Sequence, residues 1–194
     1  MCRLRVVAVI AGVLLASVFS LQSFADSIPV LSVDPVSSTV GTGDSVTISI
    51  NISNVTDLYG FQFDLTFAPG TLSAVSIDEG AFLPLVGSTF FLPGSIDNTL
   101  GIIAFTADSL LGPGPGSDGN GTLAVLTLKG LTTGTSSLDL SNVLLLDSNL
   151  NPISVNLQNG SVAVTSNTVA TPEPNSLVLL IVGIGMTLVL RKLW

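Results

Sequence analysis

The stretch GFQFDLTFAPGTL, residues 60–72, restricts the possible folds more than any other part of the chain. Phe61, Phe63, Leu65 and Phe67 recur at every second position, with Gln62, Asp64 and Thr66 between them. Successive side chains of an extended chain point to opposite faces, so this spacing makes an apolar comb on one face and a polar row on the other. That is the pattern of a half-buried antiparallel strand. Ala68-Pro69-Gly70 ends it, because Pro69 lacks a ladder donor and Gly70 accepts the positive φ of a tight turn; Leu72 then opens a new apolar run.

The same period returns along the chain. Val46, Ile48, Ile50 and Ile52 alternate with Thr47, Ser49 and Asn51, and further short strands are expected at 30–33, 72–77, 102–105, 122–129, 137–140, 143–146, 153–157 and 161–164. Gly41-Thr42-Gly43-Asp44 and Asn159-Gly160 carry turn chemistry, and residues 112–121, rich in glycine with two prolines, read as a loop. Residues 78–101 are looser, with Phe82, Phe90 and Phe91 broken by Pro84, Pro93 and Gly94. Between the two ends no stretch sustains a helical period, so the chain is expected to be an all-β sandwich.

The ends differ in kind from the middle. Residues 1–25 have Arg3 and Arg5 before an apolar run from Val6 to Val18, then Ser23-Phe24-Ala25, the layout of a secretory signal peptide cut between Ala25 and Asp26. Cys2 lies ahead of the apolar run, so the mature chain has no cysteine, which excludes disulfides, thiolate metal sites and cysteine nucleophiles. Residues 26–166 make one domain and 167–175 a linker. Residues 176–194 are a hydrophobic helix ending in Arg191-Lys192-Leu193-Trp194, short for a permanent span but able to anchor a precursor with its basic tip on the cytoplasmic side.

Composition narrows the chemistry. Between residues 26 and 175 the one basic residue is Lys129, against all 13 acids of the chain, which leaves nothing to grip nucleic acid. The chain contains no histidine, so it lacks the usual general base and every Ser-His arrangement. Asp64, Asp78, Glu79, Asp97 and Asp108 are the carboxylates from which a glycosidase pair would have to come, and their scatter is that of a solvated face. The run Asp147-Ser148-Asn149-Leu150-Asn151 spaces oxygens like half an EF-hand loop, but Pro152 stands where glycine is needed and Gln158 where a bidentate carboxylate is needed. A β-turn is expected there, with no metal and no cofactor. Modules that stack sugar rings use strips of Trp and Tyr, whereas this domain has Tyr59 alone.

Taken in order, the segments GFQFDLTFAPGTL, GIIAFTADS, DGNGTLAVLTLK and NGSVAV resemble the cohesin domain, the β-sandwich receptor module of bacterial cellulosome assembly, over roughly residues 28–165. The resemblance implies a jelly-roll sandwich of about nine strands that binds a dockerin partner on one flat sheet face. The candidate partner-binding residues on that face are Gln62, Asp64 and Thr66, with Thr106 and Asp108 alongside. Three positions depart from the family pattern, at Gln62, Ala107 and Phe67-Ala68-Pro69. At the other end, Pro172-Glu173-Pro174, an apolar segment and the Arg191-Lys192 tip resemble the PEP-CTERM sorting signal of bacteria that export polysaccharide. This implies recognition and cutting by an exosortase-type enzyme, and a domain delivered to the periplasm, cell surface or extracellular matrix. The function so implied is a non-catalytic adhesion or scaffold module binding a dockerin-like or other surface protein. The alternative is a carbohydrate-binding module for the exopolysaccharide itself.

Overall fold

The computed structural model describes residues 28–167; the signal peptide, the Pro-Glu-Pro motif and the hydrophobic tail lie outside them. Every regular element among the described residues is a strand: β1 (Val30–Asp34), β2 (Ser37–Gly41), β3 (Ser45–Leu58), β4 (Gly60–Thr66), β5 (Leu72–Glu79), β6 (Ser95–Asp97), β7 (Ile102–Ser109), β8 (Ser117–Gly130), β9 (Gly134–Leu146), β10 (Asn156–Gln158) and β11 (Gly160–Thr165). They form a five-stranded sheet, β10-β1-β3-β8-β5, and a six-stranded sheet, β2-β11-β9-β4-β7-β6.

The all-β sandwich expected from the alternating patterns is thus present, with eleven strands rather than about nine. The first strand divides at the cis Asp34-Pro35 peptide: β1 pairs with β3 in one sheet, and β2 runs parallel to β11 in the other. Proline has no ladder donor, so a strand can change sheets there without orphaning an amide. Conversely, the separate strands expected at 137–140 and 143–146 are one, because Asn142 and Val143 form a bulge instead of a turn, with Asn142 at φ 50°. β10 begins at Asn156, later than the expected 153, and the short β6 falls in the loose region.

The segment 112–121 is only half loop, since β8 begins at Ser117. It pairs with an extension of β3 past Asn54 and Asp57, two residues with positive φ of 56° and 57°. Asn and Asp tolerate that conformation, and here their amides are satisfied across the strand: Asn54 donates to Asn120 Oδ1 and Asp57 to Asp118 Oδ1, both at 2.7 Å. Gly121 lies against the ring of Phe82 so closely that any Cβ would collide with it. Turn-rich composition on both partners therefore marks a bulged ladder.

The core between the sheets is continuous. Ile48, Ile50, Leu126 and Leu128 from one sheet face Phe63, Leu65, Leu138 and Val162 from the other, all fully buried. The comb of β4 is where the alternation places it, with Phe61, Phe63, Leu65 and Phe67 at most 6% exposed. Phe61 and Phe63 stack with ring centroids 6.0 Å apart, inside the range of favourable aromatic pairs.

Candidate functional site

With the comb inward, the other face of β4 is the outer surface of the six-stranded sheet, flanked by β7 and β9. Gln62 and Thr66 lie on it, half-buried. Asp64 also leaves the strand on that side, yet it is only 9% exposed. Its Oδ1 accepts the backbone N–H of Phe105 at 2.7 Å and its Oδ2 accepts Asn142 Nδ2 at 2.6 Å. Both neighbours are bulged at this level. Phe63 pairs with Thr106 and Leu65 with Ile103, leaving Ala104 and Phe105 opposite Asp64; Gln62 pairs with Leu144 and Asp64 with Ser141, leaving Asn142 and Val143 opposite Phe63. Asp64 is therefore a clamp that fills the gaps of two bulges and is not the free acceptor expected from the polar row.

The bulge on β7 corrects two further expectations. Phe105 takes φ 59°, and the residues after it change face: Thr106 is fully buried and Asp108 only 4% exposed, while Phe105 and Ala107 turn outward. A one-residue insertion exchanges the faces of every residue beyond it. Thr106 and Asp108 thus belong to the interior, where Thr106 Oγ1 donates to Pro93 O at 3.3 Å.

What the bulge puts on the surface is apolar. Phe105 (53% exposed), Phe90 (57%), Leu92 (38%) and Leu144 (41%) ring a shallow cleft of about 210 Å³ floored by Gln62 and Ala107. Phe90 and Leu92 arrive on an added strand-like segment, 88–92, whose backbone pairs with β7 through Phe90 N–H to Ser109 O and Leu92 N–H to Ala107 O, both 2.8 Å. Of the three phenylalanines in the loose region, Phe82 is buried, Phe91 packs on the core and only Phe90 is open to solvent. Sequence reasoning missed Phe105 and Leu144. The spacing of GIIAFTADS reads as unbroken alternation, which hides the bulge, and Leu144 follows a bulge of the same kind.

Elsewhere, Asp147 forms the expected turn: its Oδ1 accepts the amides of Asn149 and Asn151, both at 2.8 Å. The side chain and amide of Asn151 hold its carboxyl below the usual range. Asp57, bonded first by Ser148 Oγ and then by the Gly116 amide, is likewise lowered. Among the described residues no three metal-binding side chains converge.

Solved structures that share the fold include a non-cellulosomal cohesin from Archaeoglobus fulgidus, with a TM-score of 0.56 and 14% identity over 74% of this chain and 96% of that one. A cohesin–dockerin complex of OlpC from Clostridium thermocellum gives a TM-score of 0.60 and 17% identity, covering 73% and 96%. A type II cohesin from the cellulosome of Acetivibrio cellulolyticus gives 0.56 and 21%, covering 70% and 95%. No curated protein sequence matches the chain. The family model of the cohesin domain matches residues 29–164, most of the chain and nearly all of the sandwich, and on that match the protein belongs to the cohesin family.

Proposed function

We propose that the protein is an exported binding module that docks a dockerin-like or other surface protein on the outer face of β9-β4-β7. The observation that carries this reading is Phe105. A left-handed conformation costs a non-glycine residue roughly 1–2 kcal/mol, and this one is spent holding a large ring half in water beside Phe90, Leu92 and Leu144. The Asp64 carboxylate holds the Phe105 backbone in this conformation, but the ring itself stays half in water in the free domain. Backbone strain and an apolar patch at one place are features of binding surfaces. Cohesins of the same fold have been solved bound to dockerins, which supports a protein as the occupant. Gln62, at the cleft floor, supplies a polar anchor, and Thr66 lies farther along β4 on the same face.

On this reading the signal peptide is removed before Asp26, and the tail sorts the domain through Pro172-Glu173-Pro174 to an envelope polysaccharide matrix. The test of the binding face is calorimetric titration of residues 26–166 with a dockerin domain, beside Phe105→Asn. Asparagine tolerates the left-handed backbone but removes the ring. Binding that is saturable in the natural sequence and weakened in Phe105→Asn supports the proposal. Co-sedimentation with exopolysaccharide that depends on Phe105 would instead favour sugar as the occupant.

A further inference from the structure

Asp108 sits opposite Phe61 of β4 on one side and, in the register set by Thr89 with Leu110 and Leu92 with Ala107, opposite Phe91 of the 88–92 segment on the other. It is 4% exposed, and among the described residues neither carboxylate oxygen has a well-formed hydrogen bond, the adjacent Ser109 amide offsetting only part of the burial. Such a group needs an explanation, because an unpaired ionised carboxylate away from water is strongly disfavoured. From the five-stranded sheet, Glu79 at the end of β5 reaches it, and Thr89 Oγ1 donates to Glu79 Oε1. Among the described residues Glu79 is the one charge acting on Asp108; β4 presents Phe61 and Phe63 there, and the 88–92 segment presents Thr89.

We propose that Asp108 and Glu79 share a proton as a lock that fastens the 88–92 segment, and with it Phe90 and Leu92, to β7. When protonated, Asp108 has the O–H it lacks as a carboxylate and donates it to Glu79, which also takes the Thr89 hydroxyl. One proton then joins β5, β7 and the 88–92 segment. When the proton leaves to solvent, two carboxylates face each other and one is buried without a well-formed hydrogen bond. Lifting the neighbouring 88–92 segment opens the group to water; the segment is held by Phe90 and Leu92 N–H to β7, by Ala107 N–H to Leu92 O and by Leu111 N–H to Ser88 O.

The direction of the pH effect follows. Burial first, and the Glu79 charge second, push the Asp108 carboxyl from 3.8 up to about 7. A raised carboxyl favours the folded state fully below its unfolded value and loses that contribution as pH rises toward its folded value. The lock is therefore closed in mild acid and loosened above neutrality. Two carboxylates and a hydroxyl fall short of the six to eight oxygens that calcium takes, which favours a proton over a cation as the shared ligand.

This inference concerns the free domain and does not depend on what the cleft binds. The test is amide hydrogen exchange from pH 5 to 9, corrected for the intrinsic rate, with carbon-13 NMR titration of the Asp108 carboxyl, all without partner. In the natural sequence, protection at Phe90 and Leu92 is expected to fall about tenfold or more across neutrality while Phe63 stays protected. In Asp108→Asn, whose amide donates to Glu79 at every pH, protection is expected to be flat. Should Asp108→Asn fail to fold, Glu79→Gln decides, because the glutamine amide can donate to an ionised Asp108 and keep the segment protected at pH 8. Protection independent of pH in the natural sequence, or a titration midpoint below 5, overturns the lock. So does saturable restoration of protection at pH 8 by millimolar calcium, which would make the pair a cation site.

Discussion

Replacing Asp64 with alanine separates a contact residue from a structural clamp. The carboxylate accepts two hydrogen bonds, from Phe105 N–H at 2.7 Å and Asn142 Nδ2 at 2.6 Å, at a position only 9% exposed. Hydrogen bonds to a charged group contribute about 1.5–3 kcal/mol each. Asn142 is exposed and recovers water when its partner is lost, so its share belongs at or below the low end. The Phe105 amide is tied into a bulge, and its share is larger. Together Asp64→Ala is expected to destabilise by roughly 2–4 kcal/mol. Unfolding entropy of about 2 cal/mol/K per residue makes this a fall of roughly 7–14 °C in Tm for a domain of this size. Asp64→Asn, which keeps one acceptor for Phe105, is expected to lose about half as much. Thermal melts by circular dichroism give the shifts, and a double-mutant cycle with Asn142→Ala isolates the second bond. An unchanged Tm in Asp64→Ala, joined to lost partner binding, would refute the clamp and restore Asp64 as a docking residue.

Phe63→Ala removes a fully buried ring and is expected to cost about 3–5 kcal/mol in urea unfolding, with an unchanged midpoint showing that the β4 register is wrong. Phe105→Asn is expected to leave Tm level or slightly higher while weakening dockerin binding about 30-fold or more, the size of an interface hot spot, as read by calorimetry. Replacing Pro172-Glu173-Pro174 with alanines, the apolar segment intact, is expected to block processing and surface delivery; continued delivery on immunoblots of the surface fraction would reduce the tail to a plain anchor. Asp108→Asn is expected to remove the decline in Tm that the natural sequence shows between pH 5 and pH 8.

The comb of β4 and the isoleucines of β3 were legible because each is a long run of strict alternation, and a buried face tolerates only one register. The sheet face was legible too, since it is the reverse of the comb. What escaped the sequence were the bulges. An inserted residue at Phe105 leaves no mark on composition, yet it sends Thr106 and Asp108 inward and a phenylalanine outward. At Asn54, Asp57 and Asn142 the signal was present but ambiguous, because the residues that tolerate a left-handed bulge are also those that make turns. Local chemistry states that the backbone bends there; whether the strand continues depends on a partner strand distant in sequence.

The parallel pairing of β2 with β11 fixes where the chain leaves the domain. β1 and β2 run one after the other along the sandwich, and β11 keeps the direction of β2, so Thr165 finishes beside Thr42, whose amide donates to Thr165 O at 2.9 Å. Ile28 precedes β1 at the far end. At about 3.3 Å per residue, the two strands carry entry and exit some 35–40 Å apart. The domain is threaded lengthwise, like a bead on a string, and the cleft of Phe90, Phe105 and Leu144 opens on its flank. A pull applied at Asn167 acts along the long axis and leaves the cleft facing sideways, clear of the line of force.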